Sequence, residues 1–262
     1  MRRSLTLRIA AGDITRWRAQ AITTSANAGL CGNKTPSYWR FRVPAEQEGP
    51  PVGFVPKENS RPFDNVDGQI HAAAGGELQK ALVEITAQRA YLMSGGGGIW
   101  RGSLLPRSTG GLVSCLAGSA VCTPSFGKLR SYAEWIVHAV APDGRYPNHW
   151  AAYAGIPILR DTFASAIVCA DEVGASSLAV PSIGCGVNGW PAAVAADAAL
   201  DAVEECLIRK DDSSIGSVQR LDFVLRGASE LTAWRESARQ RFGDPGPASQ
   251  RTASGELEAW QL

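Results

Sequence analysis

Five short apolar runs rich in branched side chains, each separated from the next by a longer stretch, restrict this chain more than any other feature. They are Leu5 to Ala10, Ala21 to Ser25, Trp135 to Val140, Leu178 to Ile183 and Leu221 to Leu225, and they read as strands. Between and after them, Gly68 to Arg89, Ala152 to Val173, Ala192 to Arg209 and Ser229 to Arg241 repeat apolar residues at three- and four-residue steps, the spacing of a helix with one buried face. Strands alternating with helices predict a sheet covered on both sides, a three-layer α/β/α arrangement. Ligands of such sheets lie beyond the carboxyl ends of the strands, so the residues just after each strand are where chemistry is expected.

Two segments break the alternation. Asn33 to Asp64 holds Pro36, Pro44, Pro50, Pro51, Pro56 and Pro62; each proline removes a backbone donor and fixes φ, so no single regular element fits. With Tyr38, Trp39, Phe41, Phe54 and Phe63 in the same stretch, it reads as an insertion packed as a flap, with disorder the competing reading. Ser94 to Gly111, containing GGGGIWRG, reads as a flexible surface connection; it lacks the lysine and Ser/Thr that complete a phosphate-binding P-loop. The domain reading is one unit over 1–242. From Gly243 onward the chain is small and polar, which predicts a mobile tail with Trp260 as its single large anchor.

Bulk properties exclude some partners. A net charge of +1 with no Lys/Arg block gives no general signal for nucleic acid or membranes, although a local patch escapes such a count. The expected partner is recognised by a pocket. Six cysteines carry neither a CxxC pair nor a Cys/His cluster at zinc spacing, so they read as reduced thiols, and no metal or other cofactor is called for. The opening MRRSLTLRIA lacks a secretory pattern, and no apolar run is long enough to cross a bilayer. The expectation is an intracellular monomer, in cytoplasm or nucleus, with an organelle left open.

Four segments after strands are candidates for a site. In AAGDITRW, Asp13 suits a helix N-cap as well as a ligand contact. In TTSANAGL, Asn27 follows small residues, and its amide both donates and accepts, as a sugar diol requires; a turn asparagine is the equal alternative. In NVDGQIHAAAG, Asp67 stands at the start of a helical pattern, either as its cap or facing a substrate. VPSIGCGVNGWP is the most specific signal: Gly184, Gly186 and Gly189 lie between a strand and a helix starting near Pro191. Glycines there allow positive φ and leave several amides free to face one anion, with the next helix dipole adding to the attraction.

Together these segments resemble the macrodomain family of ADP-ribose-binding and ADP-ribose-processing modules, in order, from about Leu5 to Phe242. GDIT at Gly12 to Thr15 matches the family's first motif, and TSAN is similar to its NAAN. NVDGQIHAAAGGEL is similar to GVDGAIHxAAGxEL, GSAVCTPSF followed by WIVHAVAP resembles GxAxxT and its following strand, and PSIGCGVNGWP resembles the loop PAISTGVYGYP.

The resemblance implies a macrodomain fold with a mixed central sheet and ADP-ribose or an ADP-ribosylated substrate as the partner. It implies hydrolysis of ADP-ribose esters (mono-ADP-ribosylated acidic residues, O-acetyl-ADP-ribose or ADP-ribose 1''-phosphate), with a non-catalytic reader as the alternative. Asp13, with Ile14, would hold the adenine. Ala26 would border the cleft, and Asn27 and Asp67 would face the distal ribose as the catalytic pair. Val66 and Gly68, with Ser182, Ile183, Gly184, Cys185, Gly186, Val187 and Asn188, would wall the diphosphate. Arg226 stands where an aromatic often stacks on the base. Thr24 replaces the first Asn of NAAN, and Asn188 replaces an aromatic, leaving Trp190 or Trp39 to supply a wall beside the ribose. His71, one turn after Asp67, reads as packing or bonding to the backbone rather than as a base, and His138, inside a strand, as structural.

Overall fold

The computed structural model describes residues 5–27, 30, 65–82, 84–85, 115–144, 149–208, 216–247, 249–252 and 255–262. The proline-rich insertion, Trp39, Cys31 and the glycine run after Ser94 lie outside these residues. Among the described residues eight strands, β1 (Thr6–Ala11), β2 (Ala21–Ala26), β3 (Ala120–Pro124), β4 (Trp135–Val140), β5 (Ser177–Val180), β6 (Arg220–Leu225), β7 (Gln250–Thr252) and β8 (Gly255–Gln261), form one sheet in the order β3-β4-β2-β5-β6-β1-β8-β7. The five central strands, β4-β2-β5-β6-β1, are all parallel, while β3, β8 and β7 join antiparallel. The sheet is therefore mixed, as expected.

Parallel strands covered on both faces need apolar residues on both, and β5 is buried at all of its positions. Leu221, Phe223 and Leu225 of β6 point to one core and Val224 to the other. The first core is closed by helices α2 (His149–Glu172), α3 (Ala192–Val203) and α4 (Ala228–Phe242). Buried alanines along α3 let it sit close between its neighbours. Phe163 meets Phe223 edge-on and Phe223 meets Trp234 at a tilt through this layer, with centroids 6.5 and 6.1 Å apart. The second core lies under α1 (Val66–Ala74), the helical residues 76–82, and a short 3-10 turn, Gly127–Ser131, where Ile70, Leu78, Leu82 and Leu129 meet Ile22 and Ile136.

The helix expected from Gly68 to Arg89 is broken. Gly75 ends α1 with φ +79, its amide donating to the His71 carbonyl, before the helical turns resume. The fifth strand stops at Val180, because Pro181 has no N–H with which to continue the ladder.

The C-terminal segment corrects an expectation. Instead of a mobile tail, β8 pairs antiparallel with β1, placing Leu7 opposite Trp260 and Ile9 opposite Glu258. Trp260 is 2% exposed and donates its indole N–H to the Gly243 carbonyl at 2.9 Å. Glu258, also buried, is held by Arg235 and Arg239 at 3.1 and 2.6 Å. Among the described residues, no helix is long and apolar enough to cross a membrane.

Candidate active site

Because the central strands run parallel in matched register, the residues that follow them emerge along one edge of the sheet. Asp13 follows β1, Asn27 follows β2, Ala141 follows β4, Ser182 follows β5 and Arg226 follows β6. Helix α1 covers this edge from the second-core side and packs on both β2 and the 3-10 turn Ile14–Arg16.

The structure removes one of the two readings of Asp67, that it caps α1. The cap of α1 is Asn65, whose side chain accepts from the Gly68 amide at 2.7 Å, satisfying one of the helix's orphan donors. Asp67 is free of that duty. It is 2% exposed, and its Oδ1 accepts from the Thr24 hydroxyl at 3.0 Å. His71 Nε2 stands 3.6 Å from the same oxygen, one turn along the helix. Oδ2 is buried, with no hydrogen-bond partner among the described residues. Burial pushes the Asp67 carboxyl up to about 7, while the Thr24 hydrogen bond opposes the rise.

His71 also meets His138 edge-on, ring centroids 6.4 Å apart. Burial and the neighbouring His71 push the His138 imidazole down to about 3, and its Nε2 lies 3.0 Å from the Thr123 hydroxyl. A neutral, buried ring bonded to the adjacent strand is a structural histidine, as its place in β4 predicted. His71 is buried, as a packing residue is, and its Nε2 also approaches the acid through an i, i+4 pair.

The turn after β5 is built by its glycines. Gly184 and Gly189 have φ of +87 and +70, values that side-chain-bearing residues rarely take. Four hydrogen bonds close the turn from within: Ile183 N–H to Pro181, Cys185 N–H to Ser182, Gly189 N–H to Gly186 and Trp190 N–H to Gly184. The amides of Gly184, Gly186, Val187 and Asn188 donate to no acceptor among the described residues, so the turn keeps main-chain donors for an anion. Asn188 Nδ2 ties it to the Ala141 carbonyl at 3.1 Å. Burial pushes the Cys185 thiol up to about 12, which keeps it protonated and a poor nucleophile.

Trp190 is not an aromatic wall for the ribose. Its ring lies buried under the turn, where a Cβ on Gly184, Gly144 or Gly155 would come within 2.9 Å of it, and its N–H bonds to Pro142 at 2.8 Å. It is a pedestal for the glycine loop, and those three glycines are the space it needs.

At the other end, Asp13 caps its short turn, accepting from the Thr15 amide and hydroxyl at 3.0 and 2.7 Å through Oδ1. Ile14 is buried beside it. A Cβ on Gly12 would meet the Trp17 ring at 2.9 Å. Asp13 and exposed Arg226 border a groove of about 620 Å³ that continues along Gln69, Ala72 and Ala73 of α1. Asn27, Asp67 and residues 182–188 do not line it. The groove thus belongs to the Asp13 end, and the acid with its unpartnered oxygen and the amide-lined turn mark the other end of the same sheet edge.

Comparison with known proteins accords with this geometry. The family model for the Macro domain matches residues 61–199. An O-acetyl-ADP-ribose deacetylase of Salmonella typhimurium is 28% identical over 203 residues, spanning 78% of this chain and 80% of that one. A macro domain-containing protein of Listeria monocytogenes is 28% identical over 82% of this chain and 88% of its own. The Oceanobacillus iheyensis macrodomain with ADP superposes with TM-score 0.60 at 24% identity, covering 90% and 91% of the two chains. The Trypanosoma brucei macrodomain in complex with ADP-ribose gives 0.55 at 18%, covering 87% and 67%.

Proposed function

The chain belongs to the macro domain family, and from that premise we propose that it binds ADP-ribose along the carboxyl edge of its sheet and hydrolyses ADP-ribose esters. Asp13 receives the adenine amino group, and Arg226 stacks on the base through its planar guanidinium. The amides of the 182–188 turn and the start of α1 hold the diphosphate. Asn27 and Asp67 then face the distal ribose.

One observation carries the catalytic half of this reading: a buried carboxylate, one oxygen positioned by Thr24 and the other without a partner among the described residues, at the mouth of α1. A base held near 7 is matched to taking a proton from water at neutral pH. Water adds to the ester carbonyl while Asp67 takes one of its protons; the C–O bond then breaks as Asp67 returns that proton to the departing ribose oxygen, releasing ADP-ribose and the carboxylic acid and restoring the carboxylate. His71 beside the same carboxylate offers a place for the proton to be shared.

The similarity to proteins named O-acetyl-ADP-ribose deacetylase supports an ester as the substrate class. Release of ADP-ribose from O-acetyl-ADP-ribose and from a mono-ADP-ribosylated protein, by wild type and by Asp67→Ala, tests it. Equal turnover by both removes the role assigned to the acid. A reader without turnover is the second reading, favoured by how deeply Asp67 is buried; it requires tight ADP-ribose binding with no product from either substrate.

A further inference from the structure

We infer that the groove leading from Asp13 along α1 takes a phosphate tethered to the adenosine side of the nucleotide, so that this chain prefers ADP-ribose phosphorylated or extended there. The inference rests on the ADP-ribose reading above, which puts the base between Asp13 and Arg226.

The groove has more positive charge than ADP-ribose can use. Arg16 and Lys128 line it together with Arg226, all three exposed, and among the described residues none of them is in an ion pair. Its carboxylate, Asp13, already accepts two hydrogen bonds from Thr15. On the rim, the Arg18 guanidinium lies 5.7 Å over the ring of Tyr132, which also lines the groove, and so brings a fourth cation to the same side. The whole chain carries +1, so this concentration is local. The diphosphate of ADP-ribose is assigned to the amide-lined turn, which does not border the groove. Arg16 and Lys128 are left without an anion.

The shape follows from small residues. Ala72 and Ala73 leave the flank of α1 low, and Gln69 supplies a neutral polar group on it. Gly127, beside the lining Lys128, packs tightly on α1: with φ +53, a Cβ there would lie 2.6 Å from the Ala73 and Ala74 carbonyls. That close approach fixes the 3-10 turn, and Lys128 with it, against the helix end. A cleft that shares Asp13 and Arg226 with the base and adds Arg16 and Lys128 to its lining fits a phosphate carried on the adenosine. The phosphate is either a monoester on the adenosine ribose or part of the next unit of an ADP-ribose polymer.

Calorimetric titration of the full chain with ADP-ribose, with its adenosine 2'- and 3'-phosphorylated derivatives, and with an ADP-ribose dimer joined through the adenosine ribose tests this. At least one phosphorylated or extended ligand is expected to bind about fivefold more tightly than ADP-ribose, the gain from two exposed ion pairs, and to lose that gain in high salt. A gain with the monoesters alone identifies a free nucleotide; a gain with the dimer identifies a polymer. Arg16→Ala/Lys128→Ala keeps wild-type affinity for ADP-ribose and loses the gain, and Lys128→Glu turns it into a loss. Equal affinity for all ligands, or a gain that survives both variants, overturns the inference while leaving the ADP-ribose reading intact. No binding of ADP-ribose at all overturns both.

Discussion

The Thr24 hydroxyl donates to Asp67 Oδ1 at 3.0 Å, joining the buried middle of β2 to the first turn of α1. A hydrogen bond to the ionised form holds the carboxyl pKa below where burial alone would put it. In Thr24→Val, which keeps the shape and removes the donor, the acid limb of kcat/KM is expected to move up by about half to one pH unit. Unfolding in urea is expected to show a loss of about 1 kcal/mol. A pH profile unchanged from wild type would detach this hydroxyl from the acid's titration.

Asp67 makes stability depend on pH in a defined direction. Its folded pKa, about 7, lies above the ordinary 3.8, so between those values the folded protein holds a proton that the unfolded chain has released. Stability from this group is complete below about 4 and is lost as pH rises through about 7. Asp67→Asn cannot ionise, so at pH 8 it is expected to be more stable than wild type by about 2 to 4 kcal/mol. The difference should shrink toward pH 4 in denaturant titrations. Activity should fall in the same variant, separating the stability of the site from its chemistry.

Gly184→Ala meets two obstacles together, a φ of +87 and the Trp190 ring at 2.9 Å from the new Cβ. The turn must shift to relieve both, and its free amides move with it. ADP-ribose affinity is expected to fall at least about tenfold, with a stability loss of about 1 to 3 kcal/mol. Gly186→Ala has open space and no positive φ, so it should fold like wild type and serves as the control.

Trp260→Ala tests whether the last strand belongs to the core. Removal of a buried indole with its hydrogen bond to Gly243 is expected to cost about 3 to 5 kcal/mol in urea unfolding. A mobile tail would show no change.

The central strands could be read from composition because, buried on both faces, they have to be apolar throughout. The glycine turn was legible for a different reason: Gly184 and Gly189 occupy backbone conformations that other residues avoid, and that requirement is local. The last strand hid itself. From Leu257 to Trp260 both faces are covered, with Leu257 and Ala259 on one side and Glu258 and Trp260 on the other. A buried glutamate held by arginines from α4 breaks the apolar pattern that signals a strand, since those partners are distant in sequence. Strand β3, AVCTP, is short, ends in proline and lies at an edge, so it left little periodic signal. Asp67 reads in the sequence as a cap or as facing a substrate; that Asn65 takes the cap position only the geometry shows. Trp190 was misread for the same reason: an aromatic beside a glycine loop fits above it or below it, and the cavity under Gly144, Gly155 and Gly184 decides for below.

The account depends on one nucleotide-sugar being held between Asp13 and Asp67 along the sheet edge. Calorimetric titration with ADP-ribose and with AMP tests it most directly, since AMP fills the base end and lacks the distal ribose. Saturable one-to-one binding is expected, with ADP-ribose tighter than AMP in wild type and weakened in both Asp13→Ala and Gly184→Ala. Absence of heat with ADP-ribose, or equal affinity for the two ligands, would contradict it.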